Sequence, residues 1–314
     1  MKAIVIFCTM IGVLVAGSGE ADSQKNGDFH IYTVDNKNAN IKPKMIQDAL
    51  KSSGFVIAGN ADIQVELLNK YEDNNFKIYN NISFYHREIT LKLLNKQADA
   101  GVLVPMGMVV YQGLNENDLH IVVTTAAMQA KVIGVDAQEL QDLEDAVLSV
   151  ITTLFPTATH TYNDKSTLEQ RELLTKYTLD LKKNHFKDTD MDDFKDAFEK
   201  KFEVMFEEAG FAMPSYFDLT YKLGKNSPYD FYVTYAICKI DVLRTVAKVT
   251  PKAAVLGPCT TMIYKKKNED KIVMGFASMY NWISSAHVKD KASVDGLLET
   301  QSVYENMLKE MTQN

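Results

Sequence analysis

The chain has 314 residues, room for two domains of ordinary size. Hydrophobic residues make up 46% and charged residues 24%, with 15 Gly and 7 Pro, a composition that excludes disordered and collagen-like chains and suits one able to bury large cores. Lys+Arg 34 against Asp+Glu 41 leaves a net charge of −7, so the broad basic footprint of a nucleic-acid binder is absent, and three cysteines are too few for a disulfide scaffold or a thiolate-only zinc site.

Residues 1–21 read as a signal peptide. Lys2 is a short positive region, residues 3–15 are apolar apart from Thr9 and Gly12, and Gly19 and Ala21 suit the −3 and −1 positions of a cleavage site. Ala16 and Ser18 are the alternative pair. The apolar run is short for a span needing about 20 residues, although an uncleaved N-terminal anchor is the competing reading. Cys8 lies inside the apolar stretch, which argues against a lipoprotein. With no other run of membrane length, the sequence predicts a periplasmic or secreted protein, soluble after cleavage and in an oxidising compartment.

Residues 22–40 then form an N-terminal extension and 41–155 a first domain. Pro43 suits the first helical position, Met45, Ile46, Ala49 and Leu50 share a face, and Gly54 stops the helix. Strands are predicted over 55–63 and 76–85, a short helix over 88–96, and a hairpin of strands 101–111 and 119–125 around a polar turn. A closing helix starts at Asp136-x-x-Glu139, an acidic relative of the capping box, and follows Leu140, Leu143, Val147, Val150, Ile151 and Leu154 to Pro156. Residues 156–190 are predicted as a polar linker with a helix of its own, capped by Ser166-x-x-Glu169 and edged by Leu174, Tyr177 and Leu181.

The second domain, 191–314, repeats this grammar. Phe194, Phe198, Phe202, Met205, Phe206 and Ala209 stripe a helix ending at Gly210, at the 3–4 spacing a buried helix face requires. Strands follow over 211–219 and 230–238, then a helix over 241–249 and a hairpin of 253–264 with 271–278. A helix capped by Ser293 and carrying Leu297, Val303, Tyr304, Met307, Leu308 and Met311 closes the chain.

The two halves also align residue by residue. Residues 98–111 (ADAGVLVPMGMVVY) match 251–264 (PKAAVLGPCTTMIY) at an offset of 153, placing Pro105 on Pro258 and Tyr111 on Tyr264. In the second half a strand ends Ala236-Ile237-Cys238, a helix follows, and Val255-Leu256-Gly257-Pro258-Cys259 opens a strand that ends in Tyr264. This pattern resembles the bacterial domain-of-unknown-function family number 302, in tandem, each repeat fitting over roughly 110 residues. The resemblance implies an α+β fold of the TATA-binding-protein-like class: two homologous domains, each a curved antiparallel sheet with helices packed on one face. Fold kinship of that kind is no argument for DNA binding. The family's Asn-Pro after the first Cys is Lys239-Ile240 here, and the Asn after the second is Thr260.

Cys238 and Cys259 are the cysteines that remain after signal cleavage, and the first repeat carries Tyr85 and Met106 at their positions. Three readings stay open: a disulfide, two buried thiols acting as small hydrophobes, or a reactive or soft-metal pair. Copper is the metal such sulfurs would suit, with Met262, Met274 and Met279 as added thioether ligands; no other cofactor is predicted. Met106, Met108 and Met128 read as core packing. The six histidines show no i, i+4 pair, so a zinc hydrolase site is not indicated. Asp188, Asp190, Asp192, Asp196 and Glu199 have calcium-loop spacing, but Asp193 stands where the loop needs Gly, and an acidic helix start is the better reading. His86-Arg87-Glu88 reads as a solvated helix start rather than an acid–base cluster. The leading expectation is an exported two-domain protein without a catalytic residue. Its halves pair as an intramolecular pseudo-dimer and bind a small ligand or a protein partner, with no nucleic acid and no membrane span. The alternative is a thiol-dependent redox or copper-binding protein. An envelope enzyme whose site no motif reveals is the third reading.

Overall fold

The computed structural model describes residues 27–164, 172–182 and 191–313. The chain folds as α+β, with two antiparallel sheets and their helices. The first half runs β1 (Phe29–Asp35), α1 (Pro43–Ser52), β2 (Phe55–Asp62), α2 (Ile63–Tyr71), β3 (Phe76–His86) and α3 (Arg87–Lys96). A 3₁₀ turn (Ala98–Leu103), β4 (Met106–Gly113), β5 (Asp118–Thr124), α4 (Ala126–Ile133), α5 (Gln138–Leu154) and β6 (Thr159–Tyr162) follow. The second half runs β7 (Leu174–Asp180), α6 (Met191–Glu208), β8 (Ala212–Asp218), β9 (Tyr229–Cys238) and α7 (Ile240–Val249). A second 3₁₀ turn (Pro251–Leu256), β10 (Cys259–Lys266), β11 (Lys271–Ala277), α8 (Tyr280–Ser284) and α9 (Lys291–Met311) complete it.

The sheets have the same connectivity. Strand order is β2-β3-β4-β5-β1-β6 in one and β8-β9-β10-β11-β7 in the other, so among the described residues only β6 lacks a counterpart. Registers agree as well: Phe84 faces Met106 and Tyr79 faces Tyr111, as Ile237 faces Cys259 and Tyr232 faces Tyr264.

Both faces of each sheet are covered, which is why β3 and β9 read as nearly continuous apolar runs instead of alternating ones. Ile82, Phe84, Met108, Val110, Ile121 and Val123 point into a core with residues of α1, α3, α4 and α5. Tyr79, Val109 and Val122, on the opposite face, join the core of the second half. Tyr232, Met262 and Tyr264 cross the other way. The 3₁₀ turns make the exchange concrete. Tyr79 Oη donates to Pro251 O at 3.0 Å and Tyr232 Oη donates to Ala98 O at 2.5 Å. Donors and acceptors are both 153 residues apart, an isologous contact within one chain.

Several local expectations change. Residues 29–35, read as part of an extension, form β1 and pair with β5. The linker helix is instead strand β7, paired with β11, while Ser166 and Glu169 lie outside the described residues. Both hairpins begin with a 3₁₀ turn, because residues 98–103 and 251–256 leave the sheet to dock on the other half. The caps differ too. The N-cap of α5 is Ala137, with no side-chain cap bond, and that of α9 is Asp290, which accepts from Ser293 N. Helices α2, α4 and α8 had no counterpart in the sequence reading. The α6 stripe is buried at Phe194, Phe198, Phe202 and Phe206, each worth about 1.5–3 kcal/mol of transfer free energy, and Gly210 turns the chain at φ +77°.

Candidate functional site

Cys238 ends β9 and Cys259 opens β10, and register sets Cys259 opposite Ile237, not opposite Cys238. The sulfurs are not bonded to each other. Both side chains line a cavity of about 390 Å³ between the halves. The first half supplies Ala58, Gly59 and Ala61 of β2, Ile63 and Leu67 of α2, and Asn81 and Ser83 of β3. Its other walls are the start of β8, the first turn of α7, the 254–259 segment, Met279 and Trp282, and one face of α9. Strands β2 and β8 are the edges of their sheets, so the cavity lies where the edges approach without pairing.

The walls are chiefly apolar, and the side chains of Asn81 and Thr300 among them are engaged. Asn81 Nδ2 donates to Ala254 O and Gly257 O, both at 2.7 Å, and Thr300 Oγ1 donates to Gly296 O at 2.8 Å. Burial pushes the Cys238 thiol up to about 12. Cys259 is also raised to about 12 by burial and the neighbouring Cys238, with a Trp282 hydrogen bond acting in the opposite direction. The surface these half-buried thiols retain faces the cavity, and at neutral pH they are protonated, soft and weakly nucleophilic.

The first half fills the matching place. Tyr85 is 2% exposed, with its ring 5.6 Å from Phe217 and its hydroxyl accepting from Lys222 Nζ at 3.3 Å; Met106 is also buried. Small thiols in place of a tyrosine and a methionine leave the second half with room the first lacks.

Of the methionines proposed beside the cysteines, Met279 is in contact: the Cys259 Sγ–Met279 Sδ distance is 3.8 Å. Met262 turns to the other core, its sulfur 3.7 Å from Tyr232 Oη, and Met274 is buried among second-half apolar residues. Among the described residues no group of three His, Cys, Asp or Glu side chains could hold a metal. Of the calcium-loop set, Asp188 and Asp190 lie outside the described residues, and Glu199 accepts from Tyr216 and pairs with Lys195. His86 caps α3, its Nδ1 accepting from Ile89 N at 3.4 Å.

One cluster was invisible in the sequence. His30 of β1 and His160 of β6 meet at 3.0 Å, and His30 Nε2 reaches Glu144 of α5 at 2.9 Å. Glu144 also accepts from Ala126 N. With Glu144 ionised, His30 carries its proton on Nε2 and its Nδ1 accepts from His160. Burial acts to raise the Glu144 pKa, but the His30 and Ala126 hydrogen bonds prevail and hold it below the usual value. Burial and then the nearby His30 lower that of His160. The only available signal was the alternation in β1, since the histidines are 130 residues apart.

Against known proteins, the family described as "Domain of unknown function DUF302" matches residues 33–154. A solved structure, the uncharacterized conserved protein DUF302 from Bacillus stearothermophilus, is similar at 14% identity, covering 45% of this chain and 97% of that one, with a TM-score of 0.33. No curated protein matches the chain. No helix among the described residues is long and apolar enough to cross a membrane.

Proposed function

We propose that this chain is two copies of the DUF302 module in tandem, exported behind residues 1–21, and that it acts as a binding protein for a small apolar molecule. The tandem reading is supported by shared strand order, equal registers and the reciprocal tyrosine contacts. The observation that carries the binding function is the cavity at Cys238 and Cys259, in the range of volumes that small-molecule sites occupy and walled by apolar side chains. The second copy has exchanged bulk for space, while the first packs the second's sheet and contributes α2 as a wall. Equilibrium dialysis with decanol tests it. Saturable binding should be present in the native protein and lost in Cys259→Met and Cys238→Tyr, which install the first copy's own residues. Binding unchanged in folded variants of both kinds, or absent from the native protein, would refute it.

A second reading is favoured by the Cys259–Met279 contact, which with Cys238 gathers three sulfurs suited to Cu(I). Competition for Cu(I) with a chromophoric chelator should then show one tight equivalent that Cys238→Ser with Cys259→Ser abolishes. No difference between the two proteins would end that reading.

A further inference from the structure

At the equivalent helix starts the two halves are built differently. In the first, His86 caps α3 with its own ring nitrogen. In the second, position 239 is a lysine, which has no acceptor to offer, and α7 begins without a side-chain cap. Lys239, Ile240, Val242 and Leu243 all line the cavity; Val242 N and Leu243 N donate to Lys239 O, and the positive end of this ten-residue helix, with the N–H groups of Ile240 and Asp241, adjoins the cavity. Lys239 is half-buried. Its Nζ lies 5.3 Å from the centre of the Phe211 ring, another wall residue, and it has no carboxylate partner among the described residues. The neighbouring Asp241 turns to Lys70, at 3.1 Å. Glu66, the acidic residue of the lining, is exposed on α2. A separate observation on β3 also points to a ligand. Ser83 is 8% exposed and lines the cavity, and its hydroxyl has no partner among the described residues. A pure hydrocarbon would leave that donor unmet.

We infer that the natural ligand is an apolar carboxylic acid, its hydrocarbon body against the thiol-lined wall and its carboxylate at Lys239 and the start of α7. This rests on the cavity's being a binding site and adds the chemical class of what it takes. Ser83 supplies a further donor within the same space. The ligand's charge replaces the cap that the second half lacks, and Lys239 neutralises it in a place with little water.

Equilibrium dialysis with decanoate, decanol and decylamine tests the assignment. Decanoate should bind at least about tenfold more tightly than decanol, the scale of one charge-assisted hydrogen bond. Lys239→Met should remove that advantage, whereas Lys239→Arg should keep it. Equal binding of decanoate and decanol, or tighter binding of decylamine, would overturn the carboxylate while leaving the cavity reading intact. A preference for decanoate that survives Lys239→Met would overturn the seat of the carboxylate at Lys239. Failure of all three probes would overturn both.

Discussion

His160 lies at the sheet edge, stacked on Tyr32 with ring centres 4.5 Å apart and bonded to His30. The groups around this pair are Glu144 from α5, Tyr32 from β1 and Tyr162 from β6. The folded-state pKa of His160 is lowered from the ordinary value of about 6.5. Unfolded chains therefore take up its proton first, and stability falls as pH drops below about 6.5 towards the folded value. His86, also lowered by burial, contributes in the same direction. Glu144 acts further into acid, its contribution present above the ordinary carboxylate range and lost as pH falls through its lowered value. Urea midpoints measured from pH 7.5 to 5.5 should decline in the native protein and decline less steeply in His160→Gln. Equal slopes would contradict this role for His160.

Each 3₁₀ turn joins a helix of its own half to a strand, and packs on the sheet of the other half. Tyr79→Phe and Tyr232→Phe should each cost about 0.5–1.5 kcal/mol in urea unfolding, since each leaves one carbonyl, Pro251 or Ala98, without its donor. Gly107→Ala should cost about 1–3 kcal/mol, because a Cβ there runs into the Val255 and Gly257 carbonyls of the opposing turn. Losses below about 0.3 kcal/mol across all three variants would show that the turns are not docked as described. The α6 stripe was legible in sequence because one partner face dictates its periodicity, and both hairpins because polar turns separate their apolar runs. Strand β7 was not. Leu174, Tyr177 and Leu181 have helical spacing, yet the inward positions are Thr175, half-buried Tyr177, Leu179 and Leu181, a period of two, and pairing with β11 decides between them. The substitution of thiols for Tyr85 and Met106 could be read by aligning the halves. The cavity it opens could not, because its walls come from β2, α2, β8, α7 and α9, which meet only in three dimensions.

Taken whole, the two sheets share one strand order and exchange equivalent contacts, as the proposed tandem arrangement requires. Reciprocal contacts hold the sheets to each other, and the same symmetry makes Cys238 and Cys259 conspicuous as places where the copies diverge. Exchange of bulk for space at these two positions is what the proposed binding role requires, with the filled half as scaffold and the open half as receptor. The chain's single tryptophan, Trp282, lies on that wall and reports on it directly. Its emission should change saturably as decanol is added to the native protein and stay constant in a folded Cys259→Met or Cys238→Tyr variant. An emission that never responds in the native protein, or that responds identically in the filled variants, would contradict the account.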